Sequence, residues 1–213
     1  MIELLIMGGP VMICIAIASV VACGVFLNKV FHFHRAHIDT RKFVAGVKNV
    51  LKKKSYVEAV TICSETPGPV SEVVKSGVLK HESPDDVIRK SMERAASYEV
   101  PRLEKDINML ISIAYVTPML GFLGTVIGLM KVFIKIQEMG GVISMGDIAG
   151  GVWEALICSA AGLVVAIPAF VGYNYLQNRV QTFVVDMERS AAEIADLLTS
   201  KEDEYEIPSY GQD

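Results

Sequence analysis

The sequence predicts an all-α membrane protein. It has three transmembrane helices, long cytoplasmic helical extensions, an N-terminus outside and a C-terminus inside (N-out/C-in). Three stretches, Leu4–Asn28, Ile107–Met130 and Ala155–Asn178, contain no Asp, Glu, Lys or Arg over 25, 24 and 24 residues. About 20 apolar residues let a helix cross a bilayer. Because the 52% of hydrophobic residues are concentrated in these stretches, a lipid bilayer is the predicted surrounding.

The distribution of positive charge predicts the orientation. Of 20 lysines and arginines, 15 lie between Lys29 and Lys105, and such residues favour the cytoplasmic side. The formal net charge of −4 indicates no nucleic-acid partner. The predicted segments are an outer N-terminus (1–9), transmembrane helix 1 (10–32), a cytoplasmic helical domain (33–106), transmembrane helix 2 (107–136), an outer loop (137–151), transmembrane helix 3 (152–178), a cytoplasmic helix (179–200) and an acidic tail (201–213).

The first stretch has one alternative, a cleaved signal, since Val20–Cys23 resembles a lipoprotein cleavage box. A signal needs positive charge before its apolar core, and this start offers only Glu3. A retained first span is therefore predicted. None of the four cysteines belongs to a metal-ligand spacing, so unpaired thiols are expected.

The first half of the cytoplasmic segment has a helical pattern from Ile38 to Ser64. Within it, Ser55–Glu58 is typical of a capping box that starts a second helix. Pro67–Pro69 predicts a turn, and Val70–Lys80 predicts a further helix. His32, His34 and His37 do not share one helical face, so aromatic and imidazole rings at the membrane interface are favoured over a metal site.

A long helix is predicted to start at Ser83 as N-cap, with Pro84 in its first turn. It should run into the second span, with a kink or break at Pro101. After the third span, apolar residues from Val180 to Leu198 recur at spacings of three and four. This pattern predicts that the third span continues as an amphipathic helix.

The second and third spans each carry a stripe of small residues at helical spacing. Gly121, Gly124 and Gly128 follow one helix, and Gly162 and Ala166 follow the other. Small residues let transmembrane helices approach closely, so these five are predicted packing residues. Pro118 and Pro168 are the predicted kinks of the two helices.

Three polar residues in or beside these spans are candidates for an ion path: Thr125, Ser159 and Glu154. The two hydroxyls should lie at similar depth in the outer half of the bilayer. They could line a polar seam, or each could bond to a backbone carbonyl one turn earlier. Glu154 is a functional candidate as an acid at membrane depth, or it could form an ion pair with Lys131 near the outer surface.

No Asp or Glu lies at the centre of any span, where a proton path normally needs a titratable group. The missing acid is therefore expected on another chain. The sequence has no P-loop, nucleophile–base pair or metal box, so neither an enzyme nor a cofactor or metal site is predicted.

Two motifs resemble those of the MotA/TolQ/ExbB proton-channel family. Pro118–Gly128 is similar to its second-span signature, and Glu154–Leu156 with Ala161–Ala169 is similar to its third. The Pro67–Pro69 turn and Pro101–Glu104 are similar to chains of the ExbB/TolQ branch. Three spans with a large loop after the first fit that branch better than the four-span MotA branch.

The resemblance implies an inner-membrane homopentamer whose second and third spans surround a lumen. Two helices of an ExbD- or TolR-like subunit occupy the lumen and carry an ion-binding aspartate. Proton motive force then drives a motor that acts through a TonB- or TolA-like protein in the periplasm. Thr125, Ser159 and Glu154 match the lumen positions, although Ser159 stands where the family has threonine, and Trp153 is unusually bulky.

The sequence therefore predicts an ExbB-like ring subunit that energises TonB-dependent transport across the outer membrane. A TolQ-like envelope-integrity subunit or a gliding or motility stator is the main alternative. A self-sufficient channel and a structural scaffold are the other two. The coupling ion, proton or sodium, stays open.

Overall fold

The computed structural model describes residues 9–36, 39–140 and 144–199, and these residues form α-helices and no strand. The helices are α1 (Gly9–Ala36), α2 (Thr40–Lys52), α3 (Tyr56–Glu65), α4 (Pro69–Val78), α5 (Asp85–Glu104), α6 (Ile107–Glu138) and α7 (Met145–Thr199). Three helical stretches, within Gly9–Lys52, Asp85–Glu138 and Ile148–Thr199, are long and apolar enough to cross a membrane. The predicted all-α membrane fold is confirmed. The outer N-terminus up to residue 8, His37 and the acidic tail lie outside the described residues.

The chain divides into two compact units. The apolar unit comprises the chain up to Val30 together with Asp106–Leu176, and the polar unit comprises Phe31–Lys105 together with the chain from Gln177. In the apolar unit, many large side chains point away from the protein, including Val20, Phe122 and Val164, which are 74%, 69% and 70% exposed. A soluble monomer rarely exposes so much apolar surface, whereas a bilayer covers it.

The polar unit has an apolar core of its own. Its buried side chains come from α2 to α5 and from the last part of α7, and include Leu51, Val73, Met92, Met187 and Ile194. Charged pairs surround this core and join α7 to the other helices. Lys48 Nζ lies 2.5 Å from Glu193 Oε2, and Arg89 Nη2 lies 2.7 Å from Asp196 Oδ1. Hydrogen bonds from Lys48 and Arg189 hold the pKa of the Glu193 carboxyl below its ordinary value.

Two predicted helix starts differ from the structure in detail. α3 begins at Tyr56 with Ser55 as N-cap, as predicted, but the Ser55 side chain makes no capping hydrogen bond. The prediction of Ser83 as N-cap is wrong, because Pro84 holds that position and α5 begins at Asp85. Proline lacks an N–H and its fixed φ suits a helix start.

The break between α5 and the second span lies after the position predicted. α5 continues through Pro101 to Glu104, and the chain turns at Lys105 and Asp106 before α6 begins. Asp106 adopts a left-handed conformation with φ 69°, which cannot continue a right-handed helix. Pro118 and Pro168 lie inside uninterrupted helices.

α7 continues without a break from Met145 to Thr199, in line with the periodicity after Asn178. The predicted outer loop at 137–151 is partly helical, since α6 runs to Glu138 and α7 begins at Met145. A helix need not end where the hydrocarbon layer does. The division of the chain into outer, membrane and cytoplasmic segments stays a prediction.

Candidate functional site

The candidate site lies in the apolar unit, where α6 and α7 pack in antiparallel contact. Two glycines show how close the contact is. An ideal Cβ added at Gly162 would lie 2.6 Å from the Thr117 carbonyl oxygen. One added at Gly121 would lie 3.0 Å from the Cys158 carbonyl oxygen. Only residues without a side chain permit this approach, so these positions hold the helices together by backbone contact.

The same register continues along both helices. A Cβ at Gly128 would meet Ala155, and a Cβ at Gly124 would meet Cys158. Ala166 is also buried, with 6% of its surface exposed. The small residues of the two stripes therefore lie inside the chain's own helix hairpin. They are not free to line a path between subunits.

The two candidate hydroxyls lie at similar depth. Thr125 Oγ1 donates to the Phe122 carbonyl 2.5 Å away, and Ser159 Oγ donates across the helix contact to the Gly121 carbonyl 3.3 Å away. Because Gly121 and Phe122 are consecutive, their carbonyls differ in depth by about 1.5 Å. Thr125 thus bonds within its own helix, whereas Ser159 joins α7 to α6. Both residues are half-buried, and each hydroxyl oxygen keeps a lone pair that can accept a hydrogen bond.

Glu154 and Lys131 lie together at the loop end of the same hairpin. Lys131 Nζ is 2.5 Å from Glu154 Oε1, and the two side chains are 52% and 23% exposed. The N-terminus of α1 meets them, since a Cβ at Gly9 would lie 3.1 Å from Glu154 Oε1. A helix N-terminus carries a partial positive charge that favours a nearby carboxylate. Glu154 therefore forms an ion pair with Lys131 of α6 and lies close to the first residue of α1.

A second ion pair lies at the opposite end of the spans and was not foreseen. Lys29, only 6% exposed, has its Nζ 3.6 Å from Asp106 Oδ2. A buried lysine needs a counter-charge, which Asp106 supplies from its left-handed turn. A sequence signal did exist: Lys29 directly follows the first uncharged stretch and Asp106 directly precedes the second.

The arrangement has charge at both ends and hydroxyls between them. Within the described residues, no group of three or more His, Cys, Asp or Glu side chains could hold a metal ion. Hydroxyls and carbonyls can line a path for an ion or for water, but they cannot carry a proton as a titratable acid does. The site therefore suits the wall of a path whose titratable group lies elsewhere.

Three apolar helices with polar groups between two of them are typical of a multi-pass membrane protein with a polar function. Residues 65–189 match the MotA/TolQ/ExbB proton channel family. Since this match covers more than half of the chain, the chain belongs to that family. Its curated relatives include both ExbB and TolQ proteins, in agreement with the predicted ExbB/TolQ branch.

Three relatives illustrate the similarity. The chain is 25% identical over 182 residues to a biopolymer transport protein ExbB homolog of Methanothermobacter thermautotrophicus, covering 85% of this chain and 64% of the relative. It is 34% identical over 102 residues to the biopolymer transport protein ExbB of Neisseria gonorrhoeae, covering 48% and 46%. It is 32% identical over 120 residues to the Tol-Pal system protein TolQ of Haemophilus influenzae, covering 55% and 52%. The chain thus spans about half to two thirds of the length of these relatives.

Proposed function

We propose that this chain is the ring subunit of an ion-driven motor in the bacterial inner membrane. With an ExbD-like partner it would use the proton motive force to energise TonB-dependent transport across the outer membrane. The observation that carries this proposal is the polar, acid-free middle of the α6–α7 hairpin. Thr125 and Ser159 lie there at similar depth, which supports a path whose ion-carrying acid is supplied by another chain.

The proposed assembly follows from the same arrangement. Several copies, as in a homopentamer, would surround the partner's helices. The proposed orientation is N-out/C-in, supported by the lysines and arginines of the polar unit. In this orientation the Lys131–Glu154 pair lies on the periplasmic side and the Lys29–Asp106 pair on the cytoplasmic side.

A TolQ-like role in envelope integrity, through a TolR-like and a TolA-like protein, is the second candidate. The similarity to the TolQ protein of Haemophilus influenzae supports it. The two roles share the ring and differ in the protein that receives the force. Co-purification with mass measurement would identify that partner and the ring size together. A monomeric chain in native lipid would contradict both roles.

The central experiment is the double substitution Thr125→Ala/Ser159→Ala. The ring and its partner should still co-purify, because each change removes one hydroxyl, while energised uptake should be lost. Ser112→Ala and Thr182→Ala are matched controls, since both hydroxyls donate to a backbone carbonyl one turn earlier, outside the hydroxyl pair. Normal uptake in the double variant would refute the lumen role. An ion current from the purified chain without a partner would favour a self-sufficient channel instead.

A further inference from the structure

Two polar contacts fix the register between α2 and α7 inside the polar unit. Thr40 Oγ1 donates to Asp186 Oδ2 3.3 Å away. Eight residues further along α2, Lys48 Nζ lies 2.5 Å from Glu193 Oε2, and this partner is seven residues further along α7. The two helices therefore run parallel and side by side, and the same register extends to their C-terminal ends.

A lysine cluster, Lys52–Lys54, lies where both helices end. α2 ends at Lys52, four residues beyond Lys48, and α7 ends at Thr199, six residues beyond Glu193. At about 1.5 Å per residue these steps are about 6 and 9 Å along the axes, so the two ends differ in level by only about 3 Å. Lys52 follows Lys48 by one helical turn, which places it on the side of α2 that faces α7.

The described carboxylates leave this cluster with excess positive charge. All three lysines are exposed, and neither Lys52 nor Lys53 has an ion pair within the described residues. The C-termini of two parallel helices each contribute a partial negative charge of about half a unit. This is less than the charge of the two unpaired lysines, so the cluster stays positive.

The cations of α5 near the end of α7 already have partners. Arg89 lies 2.7 Å from Asp196 and 2.9 Å from Asp85, and Lys90 Nζ lies 3.3 Å from Asp86 Oδ2. α7 itself has no basic residue in its last turn. An anionic group beside the end of α7 would therefore find its uncompensated cations on α2 and not on α5.

The chain that follows Thr199 is acidic at its start. Within seven residues it contains one lysine, Lys201, and four carboxylates: Glu202, Asp203, Glu204 and Glu206. Seven residues span at most about 25 Å, which is enough to cross two packed helices whose axes lie about 8–10 Å apart. Carboxylates just beyond the C-terminus of their own helix are unfavourable, and a neighbouring cation relieves this cost.

We propose that the acidic segment 202–206 binds the lysine cluster of the same chain and extends the polar contacts between α2 and α7 past the ends of both helices. Single exposed ion pairs are weak, but the tether to α7 gives the segment a high effective concentration. Bound in this way, the segment covers a basic surface and keeps other polyanions from it. The inference depends only on contacts within the polar unit and not on the motor role.

The test is zero-length cross-linking of the purified full-length protein with a carbodiimide, which joins a carboxylate directly to a lysine amine. Peptide mass spectrometry at low salt should find links from the segment to Lys52 or Lys53 about fivefold more often than to Lys90. The Lys42–Asp39 pair, with Nζ 2.9 Å from Oδ2, is the internal positive control. At about 1 M salt, where the Debye length is about 3 Å, the segment's links should become rare.

Two sets of variants locate the contact. Lys52→Gln/Lys53→Gln should remove the segment's links, whereas the control Lys80→Gln, an exposed lysine after α4, should keep them. In the second set all four acids are neutralised: Glu202→Gln, Asp203→Asn, Glu204→Gln and Glu206→Gln. Acetylation of Lys52 and Lys53 by a succinimidyl ester should then be about threefold faster, since pairing with carboxylates no longer lowers their reactivity. The acetylation rate of Lys42 should not change.

Three results would overturn the proposal. The first is an even spread of the segment's links over Lys42, Lys80 and Lys90. The second is links that join two chains, seen as a dimer on a denaturing gel, because the cluster would then bind a neighbour's segment. The third is unchanged acetylation after the four acids are neutralised. That variant alters none of the described residues, so it decides alone if Lys52→Gln/Lys53→Gln does not fold by circular dichroism.

Discussion

The ion pair between Lys131 and Glu154 allows a quantitative test of how the spans are joined at the end of the bundle near the α6–α7 loop. Lys131→Met removes the lysine and leaves the Glu154 carboxylate with only the α1 N-terminus beside it. Glu154→Gln leaves Lys131 free to extend towards the membrane surface. The first change should therefore destabilise the protein more than the second. The stability of the double variant should be close to that of Glu154→Gln, because neither charge of the pair is then left without a partner.

The expected coupling energy follows from the geometry. Two unit charges 4 Å apart attract by about 1 kcal/mol in bulk water and about 4 kcal/mol near a protein surface. Since the Lys131 side chain is 52% exposed, we expect a value towards the lower limit, about 1–2 kcal/mol.

The assay is reversible unfolding in mixed micelles, titrated with a denaturing detergent and followed by circular dichroism. Wild type, both single variants and the double variant form a double-mutant cycle. Lys90→Met/Asp86→Asn is the control cycle, because that pair is fully on the surface of α5, and its coupling should not exceed about 0.5 kcal/mol. If the Lys131 and Glu154 changes are additive within about 0.3 kcal/mol, the pair does not join the spans as described.

Three further predictions concern packing, backbone conformation and cysteine reactivity. Gly162→Ala should destabilise the protein by about 1–3 kcal/mol in the same titration, because the new Cβ would meet the Thr117 carbonyl. Gly24→Ala should not destabilise the protein, because its new Cβ would point into open space. Equal stability of the two variants would contradict the close helix contact. Asp106→Ala should be less stable than Asp106→Gly by about 1 kcal/mol; both lose the carboxylate beside Lys29, but only alanine is strained at φ 69°. Burial raises the pKa of the Cys63 thiol to about 11, so at pH 8 only about one thiol in a thousand is ionised. N-ethylmaleimide should therefore modify Cys63 only after unfolding, as mass spectrometry would show, and rapid modification of the folded protein would contradict its burial.

The membrane helices could be predicted from the sequence because their signal is local. Twenty or more uncharged residues in a row have few folded alternatives. The stripes of small residues followed from helical periodicity alone. The Lys131–Glu154 pair was one of two open interpretations of Glu154, and its geometry is now described, although its part in ion movement stays a prediction.

Features that depend on tertiary contacts could not be predicted in this way. Pro101 was the strongest local signal for a helix break, but the chain turns at Asp106, whose carboxylate faces Lys29 from a distant part of the sequence. The close approach of Gly9 to Glu154 could not be predicted either, because it arises only when α1 packs against α7.

The glycine contact between α6 and α7 also affects how this chain can diversify. Since the small faces of both helices are turned towards each other, the outward positions carry bulky apolar side chains such as Met119, Phe122 and Leu163. Mutations there can change the size and shape of the outward apolar face without loosening the backbone contact between the two helices. The hairpin can thus keep its scaffold while the surface around it varies over evolutionary time.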